Sequence, residues 1–100
     1  MWIMEDLKEL RNQIDNIDKE IVELFEKRME IVSNVAKYKS KNHIPVLNSS
    51  REEEVINKNI DHLKNKELEG YLREFYIKLM NLSKDYQSMQ INRNTEDLVL

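Results

Sequence analysis

Residues 5–41 read EDLKELRNQIDNIDKEIVELFEKRMEIVSNVAKYKSK, 37 residues without one Gly or Pro. The apolar positions Leu7, Leu10, Ile14, Ile17, Ile21, Leu24, Ile31, Val35 and Tyr38 step by three and four, which marks one face of a helix. A helix of that length spans roughly 55 Å at ~1.5 Å per residue. A compact chain of 100 residues has a radius of gyration of only ~13 Å. The stretch therefore predicts a helix that the rest of its own chain is too small to cover. Geometry points to a homodimer, with two long helices running together and shorter ones wrapped around them.

The remainder predicts two more helices and a tail. Asn42, His43 and Pro45 end the first helix, because the residue before a proline is pushed toward extended conformations. A second helix starts near Asn48-Ser49-Ser50, where several capping residues compete, and Ser50 with Glu53 has the spacing of a capping box. Its apolar face, Val55, Ile56, Ile60 and Leu63, fades at Lys64-Asn65-Lys66. A third helix is expected from about Glu67 to Gln90, with an apolar stripe of Leu68, Leu72, Phe75, Leu79, Leu82 and Tyr86. Tyr76, Met80, Ser83, Gln87 and Gln90 form a more polar face beside it. The expected organisation is one all-α domain over residues 1–90 and a frayed or disordered tail over 91–100.

Composition narrows the class. One Gly and one Pro leave few turns, which disfavours a sheet of many hairpins. The absence of cysteine excludes disulfides and thiolate metal sites and suits a reducing cytoplasm. A net charge of −3 argues against general nucleic-acid binding. No apolar run reaches the ~18 residues that span a membrane. The opening MWIMEDLKEL lacks the basic and apolar regions of a secretory signal. His43 and His62 have no companions at metal-ligand spacing, and no nucleotide or hydrolase motif occurs. No metal and no cofactor are expected.

Several polar residues break the local rules. Arg28 falls on the apolar stripe between Leu24 and Ile31. Its stem could pack while its head reaches solvent, or it could pair with a Glu of another helix. Lys39, eleven residues on, points within about 20° of Arg28 and lies roughly 16 Å along the axis, so the two could grip one small anion. Lys39 also suits the negative end of the helix dipole as an ordinary solvated lysine. Arg11 lies roughly 25 Å from Arg28 along the helix, too far to share a small ligand within one chain. In an antiparallel dimer Arg11 of one chain could reach Arg28 of the other. Arg51 opposes the dipole among the acids Glu52, Glu53 and Glu54. Three of only five arginines, against eleven lysines, are Arg11, Arg28 and Arg51, and arginine suits bidentate carboxylate binding. Ser83 and Gln87 are one turn apart, as an ordinary polar stripe would also place them.

Together these runs, LRNQIDNIDKEIVELFEKRMEIVSNVAKYK, then PVLNSSREEEV and FYIKLMNLSKDYQ, resemble the all-helical class of chorismate mutases over about residues 5–90. The resemblance implies an intertwined dimer of three-helix chains, with two active sites each completed by the partner's long helix. It implies rearrangement of chorismate to prephenate, toward phenylalanine and tyrosine, without cofactor, metal or covalent intermediate. By the same resemblance Arg28 binds one substrate carboxylate and Arg11 of the partner subunit binds the other. Lys39 donates to the ether oxygen and reaches a carboxylate, and Gln87 is the second donor to that oxygen. Glu52 accepts from the ring hydroxyl, while Arg51 and Ser83 line the site. Many members have Asp at the position of Asn48, so hydroxyl binding is either weaker here or rests mainly on Glu52.

Two other readings fit parts of the pattern. Isochorismate pyruvate lyases share the fold and bind nearly the same dianion, but the Glu52 and Gln87 matches favour the mutase. A non-catalytic dimerisation module would explain the apolar stripe but not Arg28 within it.

Overall fold

The computed structural model describes residues 6–99, with side chains through Arg93. It contains three helices, α1 (Leu7–Lys41), α2 (Ser49–Asp61) and α3 (Glu69–Val99), with a 3-10 turn at Lys66–Leu68 leading into α3. Among the described residues there is no strand. The expected all-α, three-helix chain with one very long helix is thus observed. The expected start at Glu5 lies outside the described residues. The chain divides into two units, Met1–Ile31 and Val32–Leu100.

In the first unit, Asp6 starts α1: its Oδ1 accepts the Glu9 N–H at 2.8 Å, and its carbonyl accepts the Leu10 N–H at 3.1 Å. The first of these bonds occupies a donor that a helix start otherwise leaves unpaired, and the second is the first rung of the helix itself. The apolar stripe is bare. Leu7, Leu10, Ile14, Ile17, Ile21, Leu24 and Ile31 are all exposed, Leu24 at 62% and Ile31 at 63%. Arg28 is half-buried.

The second unit holds the core. Val32 and Ala36 of α1, Ile60 of α2, and Leu79 and Met80 of α3 are buried. Two polar residues, Ser83 and Gln87, are buried with them. α2 packs on α3, as does the 3-10 turn. On α1 the buried Val32 and Ala36 lie one position beyond the stripe residues Ile31 and Val35, about 100° around the helix.

Local chemistry sets the breaks. α1 ends with His43 at φ 56°, left-handed backbone. The His43 N–H donates to the Ser40 carbonyl at 3.4 Å and the Ile44 N–H to the Lys39 carbonyl at 2.8 Å. This is a Schellman closure with histidine where glycine is usual. α2 starts differently from the capping box expected at Ser50. Asn48 is the cap: its Oδ1 accepts the Arg51 N–H at 3.1 Å and its carbonyl accepts the Glu52 N–H at 3.0 Å. Ser50 therefore sits inside the first turn. At the far end of α2 the Lys66 Nζ donates to the Ile60 carbonyl at 3.0 Å. Asn65 then caps the 3-10 turn by accepting the Glu67 N–H at 3.1 Å. α3 continues past Gln90, where the side-chain pattern predicts an end, to Val99. No Gly or Pro follows Gly70 to stop it.

α3 is covered on parts of both faces. On the more polar face Met80, Ser83 and Gln87 are buried and Tyr76 and Gln90 half-buried. On the apolar stripe Leu79 is buried and Leu72 and Tyr86 half-buried, whereas Leu68, Phe75 and Leu82 are exposed.

Candidate active site

The second unit contains most of the residues singled out in the sequence. Lys39, in the last turn of α1, is half-buried, and its Nζ donates to the Val46 carbonyl at 2.9 Å. That bond ties the end of α1 to the loop after Pro45. An ammonium has three N–H donors, so two remain for a ligand.

Ser83 and Gln87 follow one another by one turn on α3, at 5% and 7% exposure. The Ser83 hydroxyl donates to the Leu79 carbonyl at 2.8 Å. Gln87 differs: its Oε1 is buried without a hydrogen-bond partner among the described residues. A buried polar atom left unpaired costs about 1–3 kcal/mol. Exchange of the amide's oxygen and nitrogen would present a donor at the same point. In either orientation the amide is a buried polar group.

The α2 residues separate by depth. Arg51 is exposed, and its Nη1 meets Glu54 Oε1 at 3.0 Å, both side chains nearly 60% exposed. Asn48 is exposed as well, with its Oδ1 committed to capping α2. Glu52 is half-buried, and its Oε1 is held by the Lys84 Nζ at 2.9 Å. Lys84 was not foreseen from the sequence. Nothing in its neighbours distinguishes it from the ten other lysines, because the pairing depends on how α2 and α3 pack.

The two arginines expected to hold carboxylates belong to the first unit. Arg11 is exposed and Arg28 half-buried, both on α1. No helix among the described residues is long and apolar enough to cross a membrane, and none of their acids and histidines cluster as a metal site would.

The second unit thus carries an ammonium, a buried amide and a paired carboxylate on its helices. The chain belongs to the chorismate mutase type II family, which it matches over residues 10–88. It is 46% identical to the T-protein of Haemophilus influenzae over 52 residues, 52% of this chain and 14% of that protein. It is 42% identical to the bifunctional chorismate mutase/prephenate dehydratase of Aquifex aeolicus over 55 residues, 55% of this chain and 15% of that protein. A third relative, the enzyme of that name from Buchnera aphidicola, is 43% identical over 53 residues, 14% of its length. The matched segments thus span only about one seventh of these relatives. No solved structure matches the chain.

Proposed function

We propose that this domain, residues 1–90, is a chorismate mutase. It converts chorismate to prephenate in the route to phenylalanine and tyrosine, as a cytoplasmic homodimer. The reading rests on one observation above the others. In a chain of this family, Gln87 is buried one turn after Ser83 with its amide oxygen unsatisfied.

The reaction moves electrons within one molecule. A C–O bond breaks at the ether oxygen while a C–C bond forms across the ring, and no proton or group leaves. Negative charge grows on the ether oxygen, so donors aimed there lower the barrier. Lys39 and Gln87 are those donors, and losing one such donor typically costs ~3 kcal/mol. Arg28 and Arg11 of the partner subunit take the two carboxylates and hold the side chain in its compact reactive conformer. Glu52 accepts from the ring hydroxyl. No cofactor or metal takes part. The bare stripe of α1 supports the dimer, since exposed apolar patches of this extent mark interaction surfaces.

Loss of chorismate absorbance on adding purified protein tests the reading, and no turnover above background at micromolar enzyme would remove it. Arg28→Ala and Lys39→Ala should each lower kcat/KM by about 10²–10³-fold while light scattering still reports a dimer. Near-full turnover by either variant would overturn its role.

A further inference from the structure

We propose that Lys84 is a positioning residue of this site: by pairing with Glu52 it fixes the carboxylate that accepts the substrate's ring hydroxyl. The proposal rests on the mutase reading and names a residue that reading does not include.

Three observations carry it. First, the pair joins α2 to α3 at 2.9 Å, with the side chains only 30% (Lys84) and 23% (Glu52) exposed. The Arg51–Glu54 pair on α2 is at 3.0 Å but nearly 60% exposed, in the regime where ion pairs are weak and screened. Second, the contact occupies Oε1 of Glu52 and leaves Oε2 as the oxygen that can accept from a ligand. A carboxylate anchored at one oxygen presents the other in a defined direction. Third, the neighbouring candidate acceptor is partly committed, because one lone pair of Asn48 Oδ1 takes the Arg51 N–H. Recognition of a hydroxyl at this end of the site therefore rests mainly on Glu52.

Charge gives the pairing its purpose. A lone half-buried carboxylate would repel a dianionic substrate. Lys84 cancels that charge and leaves the hydrogen-bonding capacity of Oε2 in place. Glu52 accepts at Oε2 and the substrate hydroxyl donates. A purely structural strap is a weaker explanation, since partly buried ion pairs return little net stability.

The test uses the full chain and two bicyclic dianionic transition-state mimics, one with the ring hydroxyl and one with hydrogen in its place. Binding is measured by calorimetry for wild type, Lys84→Met, Lys84→Arg and Glu52→Gln. In wild type the hydroxyl should tighten binding about tenfold, and in Lys84→Met by less than about twofold. The mimic without the hydroxyl should itself bind Lys84→Met more weakly, through repulsion by the uncancelled carboxylate, so the readout is the ratio between the two mimics within each protein. Lys84→Arg should restore most of the preference, and Glu52→Gln should lose it. If Lys84→Met weakens both mimics equally, or neither, while wild type still converts chorismate, the positioning role is overturned and the mutase reading stands. If wild type neither converts chorismate nor binds either mimic, both fall.

Discussion

Gln87 is under two opposed demands. Its amide oxygen is buried and unpaired, which lowers stability, while the proposed chemistry needs that amide beside the ether oxygen. Gln87→Met keeps the length and volume of the side chain and removes the polar atoms. It should raise the free energy of unfolding by about 1 kcal/mol in urea titration and lower kcat by about 10²-fold. A variant that loses stability and activity together would mean that the amide has a hidden structural partner. Other residues show how far single positions could be read from sequence. By spacing alone Lys39 reads as an ordinary solvated lysine and Ser83–Gln87 as an ordinary polar stripe, and only the family resemblance gives them roles. Lys39 is half-buried and Ser83 and Gln87 are buried in the second unit. Asn48 was legible as polar near a helix start, but its two possible uses, cap and ligand, look identical in sequence. The structure gives its oxygen to the cap. Lys84 was illegible, because its partner lies 32 positions earlier on another helix.

At the scale of elements, the existence of the helices followed from where breakers are missing, and their inward faces did not. α1 runs through to Lys41 because nothing interrupts it, and it closes at His43 through two backbone hydrogen bonds. α3 departs in part from the rule that the apolar face is the core face: Ser83 and Gln87 are covered along with Leu79, while Phe75 and Leu82 are not. That rule assumes all burial is completed within one chain, and it fails when an apolar face is left for another molecule. The entry to α3 offers a cleaner test of local physics. Gly70 lies in its first turn without positive φ, and a Cβ added there meets nothing within 4 Å. Gly70→Ala should therefore stabilise the fold by about 0.5–1 kcal/mol, chiefly by reducing the freedom of the unfolded chain. The denaturation midpoint should rise with kcat/KM unchanged, and a lower midpoint would show that this turn needs glycine.

At the scale of the whole molecule, the bare stripe supports the proposed dimer. Seven side chains of the stripe between Leu7 and Ile31 are exposed. Covering the exposed half of one such side chain returns about 1 kcal/mol. With both subunits contributing, the total is about 14 kcal/mol, comparable with the ~4–15 kcal/mol that association costs. The proposed dimer has a consequence that neither a monomer nor a non-catalytic module shares. If Arg28 acts in its own subunit's site and Arg11 acts in the partner's, then Arg11→Ala and Arg28→Ala homodimers each have two defective sites. Unfolding and refolding the two variants together at equal concentration makes half the dimers mixed, as random pairing into a two-fold dimer requires. Each mixed dimer has one site missing both arginines and one site missing neither. Turnover should therefore return to about a quarter of the wild-type value per chain. Arginines acting within one chain would leave the mixture as inactive as its components, because every site would still lack one of them. The same experiment with Gln87→Met and Lys39→Ala is the control. Both residues belong to the unit Val32–Leu100, so if they serve the same site of their own chain, mixing should restore nothing.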